Sequence, residues 1–252
     1  VTALRIERDG ELLRVAMARP ERRNAFDAAL IGELTEAFGD VGDARAILLS
    51  GDGPSFSAGA DVEWMRSSVA LSYDENVADA LRLRAMLDAL DGCPAPVVAR
   101  VQGHALGGGV GLVACCDVVV AEPSAQFAFS EVKLGIVPAV ISPFALAKIG
   151  PSAARRYFVT GERFDAVTAL RIGLVHEVDA DLDGAVARIV NELLGAGPAA
   201  TRTAKGLARA PLSADETART IAEHRTSGEG QEGLQAFLEK RRAAWRADEP
   251  ST

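Results

Sequence analysis

The feature that most constrains the fold is the glycine-rich stretch GHALGGGVG, Gly103 to Gly111, set between the apolar segments PVVARV and LVACC. Five of its nine residues are glycine. Glycine weakens helices and strands, so this density marks a tight turn or a place where the backbone must closely approach something else. PVVARVQG, before the turn, reads as a buried strand, and GGGVGLVACC, after it, as a helix. DVVVAEP reads as the next strand, followed by AQFAF. A glycine-rich strand-to-helix turn in that setting argues for an α/β fold with ligand sites at the turns.

A second turn of the same kind lies upstream. AILLSG (Ala46–Gly51) suits a buried strand, GDGPSFSAGAD a loop, and a helix is predicted after Asp61 with that residue as its N-cap. Leu4, Ile6, Leu13, Val15 and Met17 alternate with polar residues around Asp9-Gly10, which predicts a hairpin. Asn24 precedes a helical pattern of Phe26, Leu30, Ile31, Leu34 and Phe38. Tyr73 to Leu90 reads as a longer helix stopped by Gly92 and Pro94. From about Ser152 the pattern turns mostly helical, ending in a helix from Gly230 to Trp245 with Leu234, Phe237, Leu238 and Trp245 on one side. The expected organisation is an α/β core over residues 1–197 and a C-terminal helical region over 198–252, divided near GAGPAA.

Composition excludes several classes. A net charge of −8 opposes a nucleic-acid partner, which needs a basic face. Asp117 interrupts the longest apolar runs, well short of the ~18 residues of a membrane helix, so no membrane association is expected. The N-terminus has no apolar h-region, so no signal peptide is expected. Cys93, Cys115 and Cys116 cannot build a disulfide framework, and a reducing cytoplasm is the natural setting. The glycine cluster lacks the G-x-G-x-x-G spacing, and no Lys-Ser/Thr follows it as in a P-loop. There is no G-x-S-x-G elbow, and the three histidines are too scattered to hold zinc.

Two strand-to-helix turns remain, Ser57-Ala58-Gly59-Ala60-Asp61 and Gly107-Gly108-Gly109. Each would place backbone N–H groups that lack intrahelical partners at the start of a helix, where the dipole favours negative charge. N–H groups from two such turns can form an oxyanion hole, although tight packing alone also explains small residues there. Glu131, in AFSEVKLG, is a carboxylate on an otherwise apolar stretch. It is either a surface group, paired for instance with Lys133, or a pocket carboxylate whose pKa has risen toward neutrality for proton transfer.

FSAGADVEWM (56–65), PVVARVQGHALGGGVGLVACCDVVVA (96–121) and AQFAFSEVKLGIVP (126–138) together resemble the crotonase, or enoyl-CoA hydratase/isomerase, superfamily. RPERRNAF (19–26) and EGLQAFLEKRRAAW (232–245) match it at either end. The resemblance implies a spiral core of ββα units and a C-terminal helical trimerisation region, assembled as a homotrimer or a dimer of trimers. It also implies acyl-CoA thioester substrates whose enolate is stabilised without metal or redox cofactor, coenzyme A being part of the substrate. On that basis Ala60 and Gly108 would supply the oxyanion N–H groups and Glu131 the catalytic carboxylate. Ala58, Gly59, Asp61 and Gly107 would contact substrate. Lys240 would reach the CoA phosphate of a neighbouring subunit, unless it simply lies on a solvated helix face.

One departure matters. Two-carboxylate hydratases of the family carry a Glu two residues after the glycine triplet, where this chain has Gly111. His104 and Asp117 are candidates to replace it only by proximity. The expected activity is that of a hydratase adding water to the 2,3 double bond of an enoyl-CoA thioester with one catalytic Glu; a Δ3,Δ2-enoyl-CoA isomerase using the same Glu and a non-catalytic acyl-CoA-binding member are the alternatives. GGGVGL with SEVKLGIVPAVISPF resembles the bacterial methylglutaconyl-CoA hydratase branch. A carboxylated acyl group of that kind would need a basic partner, with Arg66, Arg82, Arg84 and Lys148 available.

Overall fold

A computed structural model describes residues 2–246. The chain opens with the expected hairpin, β1 (Leu4–Asp9) antiparallel to β2 (Leu12–Met17), turning at Gly10. Helix α1 (Ala28–Gly39) follows, then β3 (Ala46–Gly51), α2 (Val62–Ser68), the long α3 (Tyr73–Gly92) and β4 (Val97–Val101). After β5 (His104–Leu106) come α4 (Gly108–Cys115), β6 (Val118–Ala121) and β7 (Gln126–Ala128). The second half contains α5 (Ser142–Thr160), β8 (Phe164–Asp165), α6 (Ala166–Arg171), β9 (Glu177–Val178) and α7 (Leu182–Gly195). It ends in α8 (Pro198–Leu207), α9 (Ala214–Thr226) and α10 (Gly228–Leu238).

Among the described residues, six strands form a mixed sheet in the order β1-β2-β3-β4-β6-β9, parallel from β2 onward. A smaller sheet, β5-β7-β8, takes β5 directly after β4, β7 directly after β6, and β8 after α5. The chain thus repeatedly lays down a strand in the large sheet, turns into the small one and leaves through a helix. The core lies between the sheets and α1, α3, α4 and α5, where Val15, Leu30, Leu34, Ile47, Leu49, Leu87, Val97 and Leu112 are fully buried.

Several predicted boundaries move, each for a local reason. Asn24 does not cap α1. Its side chain is buried, accepts from Arg19 N (2.9 Å) and donates to Asp52 O (2.9 Å) and Ser55 O (2.8 Å), while Asp27 caps the helix through Ala29 N and Leu30 N. PVVARVQG divides into β4 and a turn at Gly103, beyond which His104 starts β5 in the other sheet. AQFAF is a strand only to Ala128, and Ser130–Leu134 form a 3-10 helix. The last helix ends at Leu238, not at Trp245. Lys240 takes a left-handed conformation, and Arg241 bridges back to Glu232 so that the chain reverses over α10.

The C-terminal helices are tied to the sheet by buried cations. Arg45 donates to the carbonyls of Leu194, Ala196 and Trp245, and Lys205 pairs with Asp117 at 2.7 Å. Cys93, Cys115 and Cys116 are buried free thiols, and burial pushes the thiol of Cys116 up to about 12. No helix among the described residues is long and apolar enough to cross a membrane.

Candidate active site

The two turns singled out in the sequence meet. Ser57 and Ala105 form a parallel bridge, with Ser57 N–H donating to His104 O and Leu106 N–H to Ser57 O. Phe26 bridges Ala60 on the other side, Phe26 N–H donating to Gly59 O and Asp61 N–H to Phe26 O. The loop is stiffened from within by the fully buried Ser57, whose hydroxyl donates to Asn24 O and accepts from Gly59 N.

Gly59 adopts φ +85°, and a Cβ there would lie 2.5 Å from Leu106 O and 3.4 Å from Gly108 N. That position needs glycine on two counts, left-handed backbone and contact with the second turn. Gly107, at φ +52°, is the N-cap of α4, and its N–H donates to Ala128 O on β7. At Gly108 a Cβ would strike the ring of Phe26 at 2.5 Å. The N–H groups of Ala60 and Gly108 donate to no backbone or side-chain acceptor among the described residues.

Glu131 comes to the same place from the 3-10 helix. Its Oε1 lies 3.6 Å from where a Cβ on Gly107 would sit. Its Oε2 is buried without a hydrogen-bond partner, and burial raises its pKa above the usual carboxylate range. No ion pair joins Lys133 to Glu131 among the described residues, and Glu131 is a pocket carboxylate and not a surface group. The segment is held from behind by Phe129, packed edge-on to Phe158 at 4.8 Å, and by Gly161 at the end of α5, which abuts Val132.

Ala60, Gly108 and Glu131 line one cavity of about 250 Å³. Its remaining wall is mostly apolar: Phe26, Trp64 and Met65 on one side, Ala80 and Leu83 of α3, and Ile136 through Ile141. A second, more open cavity of about 520 Å³ lies on the far side of the first turn, lined by Arg22, Arg23, Ala58, Ala60, Asp61 and Met65 among others. The two share Ala60 and Met65. Asp61 caps α2 through Glu63 N (2.9 Å) and accepts from Arg22 (2.8 Å) and Arg19 (3.3 Å); the Arg22 guanidinium, above all, holds its carboxyl low.

This arrangement can hold a polarised carbonyl oxygen against two backbone N–H groups, with an uncharged or charged carboxyl beside it and an apolar chamber beyond. The chain matches the sequence profile of the enoyl-CoA hydratase/isomerase family over residues 7–248. It belongs to that family. It is 32% identical to the crotonyl-CoA hydratase of Syntrophomonas wolfei over 251 residues, covering 94% of this chain and 95% of that protein. Among solved structures, an enoyl-CoA hydratase from Shewanella pealeana superposes with a TM-score of 0.91 at 39% identity, covering 96% of both chains. Pseudomonas aeruginosa AtuE gives 0.93 at 36% identity over 97% of this chain and 100% of that one. The architecture is accordingly the crotonase α/β fold.

Within this family member the sequence-singled residues divide. Ala60, Gly108 and Glu131 converge on one cavity, while Ala58 and Asp61 face the other. Lys240 lines neither. A Cβ on Gly111 would sit 2.5 Å from Ile141 Cγ2 and 3.6 Å from Leu87 Cδ2, so buried hydrocarbon occupies the space a side chain would need. Neither suggested replacement reaches the site. His104 contacts Ser55 at 3.4 Å, and Asp117 accepts from Val97 N and pairs with Lys205. Sequence reading missed the Trp64–Met65 and Ile136–Ile141 walls and the Arg22–Arg23 side of the second cavity. The run IVPAVI directly after the 3-10 helix was the available signal for one wall.

Proposed function

We propose that the chain is an enoyl-CoA hydratase that adds water across the 2,3 double bond of a short, uncharged acyl-CoA thioester. The observation that carries this reading is the buried, partnerless Oε2 of Glu131 in the same cavity as the free N–H groups of Ala60 and Gly108. In the proposed cycle the thioester oxygen accepts from those two N–H groups. The Glu131 carboxylate takes a proton from water as the water oxygen bonds to C3. The π electrons move onto the thioester oxygen as an enolate, which collapses when Glu131 returns the proton to C2. The apolar walls keep Glu131 proton-hungry, since burial disfavours its charged form.

The second cavity would take the CoA portion, with the Ala58–Asp61 turn and Arg23 beside it, and Gly107 would contact substrate from the Glu131 side. Lys240 of a neighbouring subunit would reach the CoA phosphate. A homotrimer, or a dimer of trimers, is supported by the apolar surface left on the C-terminal helices, where Phe237 and Leu238 are 80% and 76% exposed. Residues 198–252, of which 247–252 lie outside the described residues, would form that oligomerisation region, and the unbridged thiols suit a reducing cytoplasm.

A cavity of about 250 Å³ lies below the ~300–1,000 Å³ of sites that take drug-sized ligands, which favours a short acyl group. The methylglutaconyl-type substrate would want a cation. Arg66 is paired with Glu63, Arg82 with Asp79 and Arg84 with Asp88, Lys148 donates to Cys116 O, and none of the four lines this cavity. The lack of a carboxylate at Gly111 favours one competing reading, isomerisation of a 3-enoyl-CoA by the same Glu131. Following the conjugated-thioester absorbance separates them: it falls on hydration of crotonyl-CoA and rises from a 3-enoyl-CoA. Glu131→Gln should lower hydration about 10²–10⁴-fold while retaining acyl-CoA binding. Wild-type turnover in that variant would overturn the assignment.

A further inference from the structure

One polar side chain on the wall of the acyl cavity has no part in the proposed chemistry. Asp79, near the start of α3, lines the cavity with its side chain only 13% exposed. Its Oδ1 accepts from Arg82 Nη2 at 2.8 Å, but the Arg82 side chain is 60% exposed and is not part of the lining. Asp79 is thus a mostly buried carboxylate on the cavity wall, and its cationic partner lies outside that wall.

The polar groups around Asp79 reinforce that sign. Asn76, one turn earlier, donates its amide hydrogens to Leu71 O (3.1 Å) and Ser72 O (3.0 Å). Ser68 donates its hydroxyl to Met65 O at 2.8 Å. The amide hydrogens of Asn76 and the hydroxyl hydrogen of Ser68 are thus already used within the chain and are not free for a ligand. The indole N–H of Trp64 is the remaining neutral side-chain donor among the described lining residues. A carboxylate entering this space would lose water, meet lone pairs and stand near a like charge, each of which disfavours it.

We infer that Asp79 is a specificity-determining residue that excludes acyl groups ending in a carboxylate, so that the enzyme distinguishes uncharged from dicarboxylic enoyl-CoA thioesters. This inference rests on the acyl-CoA reading of the cavity. It adds a role for Arg82: while Asp79 is present the guanidinium is held outside as its partner, and removing Asp79 would free it to accept an anionic tail.

The test compares pent-2-enoyl-CoA with glutaconyl-CoA, which differ in the terminal carboxylate. The wild type should favour the uncharged ester in kcat/KM by about tenfold or more, the size expected of like charges in a half-exposed cavity. Asp79→Asn should reduce that preference at least tenfold, mainly through KM for the dicarboxylic ester. The double variant Asp79→Asn/Arg82→Gln should fall between the two, because repulsion is gone but no cation is gained. Binding of the unreactive esters valeryl-CoA and glutaryl-CoA reads the same preference without turnover, so a protein that hydrates neither substrate still tests the inference. Equal wild-type affinity for both esters, or an unchanged preference in Asp79→Asn, would overturn it. Binding of neither ester would refute the acyl-CoA reading as well.

Discussion

Gly111 offers a quantitative test of how the missing second carboxylate is replaced. The perturbation is a single methyl group, Gly111→Ala. In a helix interior this change ordinarily stabilises by about 1 kcal/mol. Here the new Cβ would sit 2.5 Å from Ile141 Cγ2, and Ile141 is only 2% exposed, so it has little room to withdraw. Overpacking of this kind costs about 1–3 kcal/mol, which offsets or exceeds the propensity gain. The expected net effect is a loss of up to about 2 kcal/mol, or roughly 2–4 °C of thermal midpoint for each kcal/mol in a chain of this size. Ile141→Ala removes Cγ2 at a cost of its own of about 2–5 kcal/mol. In that background the sign should reverse, because only propensity remains and the new methyl partly refills the space. The assay is a double-mutant cycle from thermal melts at one fixed protein concentration, with a coupling energy of about 1–3 kcal/mol expected between the two positions. If Gly111→Ala shifts the midpoint equally in both backgrounds, Ile141 is not what fills the place of the absent carboxylate. Gly111→Glu carries the same clash plus a buried charge, so it should lower stability further without raising activity.

Other perturbations probe the two turns and the proton-transfer group. Gly108→Ala drives a methyl into the Phe26 ring and should cost roughly 10²-fold in kcat, through a displaced N–H, with acyl-CoA affinity changed far less. Burial raises the pKa of Glu131, so the native state holds its proton to a higher pH than the unfolded chain. Stability from this group therefore falls as pH rises from the ordinary carboxylate range through the raised value. Glu131→Gln should accordingly melt higher than wild type at neutral pH, by about 1.4 kcal/mol for each tenfold change in proton affinity, and lose that advantage in acid. Asp61 behaves oppositely. Its pKa is lowered chiefly by Arg22, so its contribution is complete above the ordinary range and fades as pH falls through the lowered value. Asp61→Ala should cost about 1–2 kcal/mol at neutral pH from the helix cap alone and flatten the acid side of the stability profile.

What could be read from sequence was what depends on local chemistry. The SAGAD and GGG turns, the cap at Asp61 and the hairpin at Asp9-Gly10 each follow from a few adjacent residues, and all stand in the structure. The meeting of Glu131 with Gly107 depends on β5 pairing with β7 in a sheet whose strands have only two or three residues, too short to leave a periodic signature. The start of α1 at Ala28, beyond Phe26, is not marked by spacing, because Asn24 and Asp27 are both capping residue types and only the distant carbonyls of Asp52 and Ser55 draw Asn24 inward. The final helix was overextended because Trp245 falls on the right face by count. In the structure its ring packs over Gly233 after the chain has reversed, a contact no helical spacing encodes. Asp79 escaped notice among the charges of α3, since its inward tilt depends on how α3 lies against α1 and the core.

The sharing of Ala60 and Met65 by two otherwise separate cavities has an evolutionary consequence. Residues that would grip the handle of a substrate and residues that would select its acyl end occupy different segments, with Ala60 and Met65 common to both. On the proposed reading, changes along α3 or Ile136–Ile141 would re-tailor the first cavity while the second cavity stays as it is. Ala60 has no such freedom. A bulkier side chain at Ala60 would narrow both cavities at once, so drift there is closed while the walls lined by one cavity alone remain open to change.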